Sequence, residues 1–151
     1  MRPLFLYFTL FSIVLSSNGE PRNVTIDDTD PMILYTGNWS GSRPTSVAFI
    51  GSHVVSSDPS ALATLTFTCT AVYFLSPRWA YPMNSTVTLD GEGATFVDLT
   101  YPVGQSASPN GGPEPEKFAV HWSRTGLENK RHKFVVSMAA GGWWTIVDGF
   151  M

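Results

Sequence analysis

The sequence predicts an all-β fold, an antiparallel β-sandwich or jelly roll of about eight strands, and three observations carry that prediction. Apolar and polar residues alternate with a period of two through most of the chain after Val24. Thirteen glycines and eleven prolines, with many serines and threonines, divide those runs into short segments separated by turns. Hydrophobic residues make up 43% of the 151 and charged residues only 14%, which suits a packed core and excludes a charged, disordered tail.

The elements follow in order. Residues 24–26 form a short apolar run before an Asp/Thr/Pro turn, and residues 32–35 form a second. Residues 41–59 are rich in Ser, Gly and Pro, with 47–50 the strand candidate among them. The clearest alternation is at 62–70, where Thr64, Thr66, Thr68 and Thr70 face one way and Ala63, Leu65, Phe67 and Cys69 the other. That is the pattern of a half-buried antiparallel strand. Its phase slips at Thr70-Ala71, just before the run 72–75, which predicts a bulge or sharp bend. Residues 86–89, the turn Asp90-Gly91-Glu92-Gly93 and residues 94–99 make a hairpin, because Asp and Gly tolerate the positive φ of tight turns. A polar Gly/Pro/Ser loop at 104–115 precedes three strands, at 117–122, 132–138 and 143–150, the last two joined through Ala139-Ala140-Gly141-Gly142. Of the adjacent pair Trp143-Trp144, one ring enters the core and the other faces out, since neighbours in a strand point to opposite sides.

Arg2, an apolar run at 3–15, and small residues Ser17 and Gly19 before Glu20 have the layout of a secretory signal peptide over residues 1–19. The run is too short for the ~30 Å of a bilayer core. One domain, 20–151, is expected to follow, secreted or extracellular and without a transmembrane segment in the mature chain. Three sequons, at Asn23, Asn38 and Asn84, suit that route as glycosylation sites. Cys69 is the only cysteine, so no internal disulfide is available. It is expected to be buried as a small apolar residue, with an intermolecular bridge or a reactive thiol as the alternative. A net charge of −3 and a pI near 5.5 argue against nucleic acid as a partner.

Several stretches carry a family likeness: Asn23-Val24-Thr25-Ile26-Asp27-Asp28-Thr29-Asp30, Ile33-Leu34-Tyr35, Asn38-Trp39, Ala63-Thr64-Leu65-Thr66-Phe67-Thr68, Val87-Thr88-Leu89-Asp90-Gly91, Gly126-Leu127 before His132, and Ile146-Val147-Asp148. Together they resemble the extracellular domains of a large set of uncharacterised fungal proteins, especially from basidiomycetes. The resemblance covers most of 23–150 and implies a galactose-binding-domain-like β-jelly roll with no catalytic residues. Many members continue into one membrane helix and a cytoplasmic tail, so it also implies membrane anchoring if the chain is truncated at Met151. Cys69 departs from the family pattern, which has glycine there.

Catalytic signatures are missing: there is no H-E-x-x-H, G-x-S-x-G, P-loop or Cys/His metal spacing, and His53, His121 and His132 lie in separate segments. A glycosidase needs two carboxyl groups about 5–9 Å apart. Asp90, Glu92, Asp98 and Asp148 are the candidates, of which Asp90 is better explained by its turn, while Glu114 and Glu116 lie between prolines in a loop. Asp27, Asp28 and Asp30 form the tightest acidic cluster, a weak calcium candidate; the alternative is local hydrogen bonding ahead of Pro31. No other cofactor is expected.

Phe67, Phe74, Phe118, Trp122 and Phe134 sit on alternating strand faces as core residues. In 76–84, prolines break strand pairing and place Arg78, Trp79 and Tyr81 on a loop, where flat rings can stack on a pyranose and arginine can bond its hydroxyls. The alternative is that Trp79 and Tyr81 fold back to cap one end of the sandwich. The expected function is therefore a non-catalytic, lectin-like binding module whose partner is a glycan or cell-wall polysaccharide. The alternatives are a structural or adhesion ectodomain that meets another surface protein, and a small glycan-active hydrolase.

Overall fold

The computed structural model describes residues 22–41, 44–45, 47–80, 82–101 and 116–151. The expected signal peptide, the loop at 104–115 and Tyr81 lie outside these residues. Ten strands run through the described chain: β1 (Ile26–Asp27), β2 (Ile33–Thr36), β3 (Ser40–Gly41), β4 (Val54–Ser56), β5 (Leu62–Arg78), β6 (Asn84–Leu89), β7 (Thr95–Asp98), β8 (Glu116–Met138), β9 (Thr145–Val147) and β10 (Gly149–Phe150). Their ladders are all antiparallel. One sheet has the order β1-β10-β5-β8-β6-β7 with β2 also pairing β5, and the other has the order β3-β4-β9.

The core lies where the inward residues of the large sheet meet the small one. Phe74, Phe134 and Phe150 are fully buried and pack as a triad with ring centroids 5.6–6.3 Å apart. Ile146 and Val147 close it from the small sheet. Between the sheets the hydroxyls of Ser85 and Thr145 hydrogen-bond at 2.9 Å, which satisfies two polar groups that burial would otherwise penalise. The chain crosses from one sheet to the other at Asp148, whose buried carboxylate accepts the amide of Phe49 at 3.0 Å. The next residue is glycine for a steric reason, since a Cβ at Gly149 would fall on the Phe49 ring.

The alternation expected at 62–70 is present, and the predicted phase slip is a register shift between Cys69 and Ala71. The hairpin is present as β6 and β7, with Asp90 at φ 55 and Gly91 at φ 76 in its turn. Trp143 is exposed and Trp144 packs against the core, but both precede β9, and the strand expected at 143–150 is divided into β9 and β10 in different sheets.

Three further expectations are corrected. Residues 47–50 form no strand, because Phe49–Gly51 makes a single 3₁₀ turn with Ile50 at φ 51. The segments 117–122 and 132–138 are two ends of one strand, β8. Opposite the one residue Thr70, β8 carries four residues, Gly126, Leu127, Glu128 and Asn129, and Gly126 turns the chain at φ 71. A wide bulge thus absorbs what reads in the sequence as a break between two strands. Phe118 lies outside the core at 37% exposure and meets Phe49 edge-on.

Candidate functional site

The bulge interrupts the β5–β8 ladder, a feature that bends the bulged strand, and beside it the molecule opens a groove of about 380 Å³. Its floor comes from inward residues of β5, namely Leu65, Phe67, Cys69 and Val72. Tyr73 and Phe150 stand at one side, where Tyr73 exchanges two backbone hydrogen bonds with Met151, 2.8 and 3.1 Å long. Ile26, the cross-strand partner of Phe150, and Met32 extend the lining, which also includes the polar residues Arg22, Asn23, Thr68 and Thr70. The volume lies near the lower end of the roughly 300–1,000 Å³ common to ligand pockets. Among the described residues, no carboxylate side chain lines it.

Behind the groove wall sits a polar cluster that joins two distant segments. His132, only 3% exposed, places Nδ1 2.7 Å from Asp90 Oδ2 and Nε2 2.8 Å from the Glu128 carbonyl. Its ring also lies 5.5 Å from that of Phe67, which lines the groove. The Asp90 carboxylate, followed by the Glu128 carbonyl, holds the imidazole above the ordinary histidine range, against the opposing effect of desolvation. The same contact, together with the Lys133 amide, holds the Asp90 carboxyl below its usual range. Sequence reasoning missed this pair because the partners lie 42 residues apart. The only local signal was a histidine at an inward position of an alternating strand.

The residues expected to bind ligand are placed otherwise. Arg78 ends β5 half-buried, and Tyr81 lies outside the described residues. Trp79 is not presented to solvent: it is 5% exposed and belongs to the core. The prolines do not free this segment, because the Trp79 amide donates to Leu99 O at 2.9 Å and its carbonyl accepts from Tyr101 at 2.7 Å. Those bonds pin the backbone, and the indole packs edge-to-face on His53 with centroids 5.1 Å apart. Burial pushes the His53 pKa down to about 4.

The acidic cluster is divided among local bonds. Asp30 Oδ1 accepts the Met32 amide, Asp27 accepts the Thr29 hydroxyl, and buried Asp28 accepts the Ser52 hydroxyl at 2.8 Å. Among the described residues no three His, Cys, Asp or Glu side chains are grouped to hold a metal. The carboxylate candidates are likewise dispersed: Asp98 caps the Thr100 amide at 2.8 Å, and Glu92 is 3.7 Å from Arg124. Asn23 and Asn38 are exposed. Asn84 is half-buried in β6, and with its amide turned to satisfy both neighbours it donates to Met83 O and Asp98 Oδ1. Cys69 is a free, half-buried thiol.

No family model matches this sequence, and no curated protein matches it either. Solved structures do share its fold. The exo-β-1,3-galactanase of Phanerochaete chrysosporium in complex with galactose aligns with a TM-score of 0.59 at 12% identity, over 86% of this chain and 29% of that one. Its E208A form with β-1,3-galactotriose aligns at 0.58 and 13%, over 84% and 28%. The GH26-CBM35 β-(1,4)-mannanase of Podospora anserina aligns at 0.52 and 17%, over 84% and 26%. This chain therefore spans less than a third of each neighbour, and the likeness shows a jelly-roll-type β-sandwich.

Proposed function

We propose that this chain is a non-catalytic carbohydrate-binding module, secreted or displayed at the cell surface, that takes a neutral sugar in the groove beside Phe67 and Tyr73. The observation that carries the reading is the groove itself, a concave site lined by the aromatic residues Phe67 and Tyr73 together with the polar residues Arg22, Asn23, Thr68 and Thr70. An apolar floor with a few polar groups suits a pyranose, which has an apolar ring face and a polar rim. The fold is compatible, being shared with segments of a galactanase and a mannanase. Among the described residues the lining holds no Asp or Glu side chain, the group that supplies the two acids of glycoside cleavage.

Calorimetric titration with galactose, β-1,3-galactan and β-1,4-mannan tests the proposal. The expected result is selective binding by the folded wild type, lost on Tyr73→Ala with the fold retained. Failure of the folded wild type to bind any of the three overturns it for these sugars.

One observation favours a second reading, an adhesion surface for another protein. Leu34, Leu62 and Phe96 are 65%, 40% and 58% exposed on the outer face of the large sheet. Cross-strand pairing sets them among Thr36, Thr64, Thr86 and Ser137, so this part of the face carries no charge.

A further inference from the structure

We infer that His132 is a pH-dependent latch on the groove: its imidazolium, held between the Asp90 carboxylate and the Glu128 carbonyl, fixes the bend that shapes the groove wall, and alkaline pH releases it. The inference rests on the groove being a binding site and concerns how that site is regulated.

The geometry sets the protonation state. Asp90 Oδ2 at 2.7 Å and Glu128 O at 2.8 Å are both acceptors, one on each ring nitrogen. A neutral imidazole carries a single N–H and would set a lone pair against one of those oxygens; the cation donates to both. Neither acceptor can readily turn away. Asp90 sits at φ 55, its amide donates to Lys133 O, and its Oδ1 accepts the Lys133 amide, each at 2.8 Å. Glu128 lies within the four-residue bulge, so the ring ties the β6–β7 turn to the bulge itself.

The connection to the groove is short. His132 pairs in register with Phe67, their rings are in tilted contact, and residues 67–73 of β5 line the groove along the stretch opposite the bulge. The charged groups around the ring come from two elements. The β6–β7 turn contributes Asp90, which favours the cation. From β8, Lys130 opposes the cation, but the Glu128 carboxylate pairs with that lysine at 2.7 Å. The neighbouring β5 residues Thr66, Phe67 and Thr68 carry no charge.

Because the folded protein holds His132 above its ordinary value of 6.5, the stabilisation is complete below that pH. It is lost as pH rises through the folded value, when the ring gives one proton to solvent and one of its two contacts fails.

The test follows the His132 imidazole and the backbone amides of residues 68–72 by NMR without sugar, from about pH 5 to about pH 9. The latch requires His132 to titrate above 6.5, with the groove amides shifting at the same midpoint. His132→Gln should abolish the amide titration. Asp90→Asn, the gentler variant, should move both midpoints down together. A His132 midpoint at or below 6.5, or groove amides that stay flat through its titration, overturns the proposal. Galactose titration on either side of the midpoint then separates the two claims. Several-fold weaker binding on the alkaline side supports the latch, and equal binding on both sides overturns it. Coupled titration with no galactose binding at either pH supports the latch and overturns the galactose reading alone.

Discussion

His53 and His132 are hidden from solvent to the same degree, at 2% and 3% exposure, yet the protein drives their charges in opposite directions. His53 packs against the Trp79 ring, and burial alone lowers its pKa to about 4. His132 stands between two oxygens that accept its protons, so its pKa rises although the ring is covered from solvent. Desolvation acts on both rings against the charged form, but His53 lies deep in the interior, whereas His132 is covered near the surface and has acceptors fixed where its protons point. The His53 site belongs to the apolar core behind β5, whereas the His132 site joins a turn to a bulge.

The largest effect on this comparison should come from Trp79→Ala. Removing a buried indole costs about 3–5 kcal/mol, measurable by urea unfolding, and the void should admit water and let the His53 pKa climb back towards 6.5. Next is the pH dependence of stability. With its folded value below its unfolded one, His53 contributes fully above 6.5 and loses on the order of 3 kcal/mol as pH falls towards about 4. His132 works the other way, contributing fully below 6.5 and losing its contribution as pH rises. Denaturation midpoints across pH should therefore fall on both sides of neutrality, and His53→Gln should flatten the acid limb alone. The smallest effect is expected from Gly91→Ala. A side chain at φ 76 costs about 1 kcal/mol, with no clash since nothing lies within 4 Å. Because that turn carries Asp90, the alkaline limb should shift while the acid limb stays in place.

The parts of this molecule that local chemistry determines were legible in the sequence. The slip at Thr70-Ala71 marked the bulge, and Asp90-Gly91 marked the turn, because both follow from side-chain alternation and backbone φ. What local chemistry does not determine was misread. The segments 117–122 and 132–138 read as separate strands, but long pairing with β5 holds β8 extended on both sides of Gly126-Leu127. Val54 and Val55 disappear in a Ser/Gly/Pro stretch, and only pairing with β3 and β9 makes them a strand. Pro77 suggested a loop, yet it sits at a register shift between Ser76 and Arg78, where a missing N–H is tolerated. The candidate site was the least legible part, since the groove and the Asp90–His132 contact depend on which strands become neighbours.

The same bulge bears on colloidal behaviour. Among the described residues, β8 between Glu116 and Arg131 has a strand partner only in β5, and although the Phe118 amide donates to Val47 O, other backbone groups along its outer edge could template another chain. That edge is interrupted at Gly126, where four residues stand opposite one of β5, and carries exposed Lys117, Arg124, Glu128, Lys130 and Arg131. A flat, neutral edge of that length would invite fibrillar stacking, whereas a bent and charged one repels a second copy. The kink that shapes the groove thus also serves as a guard against self-association.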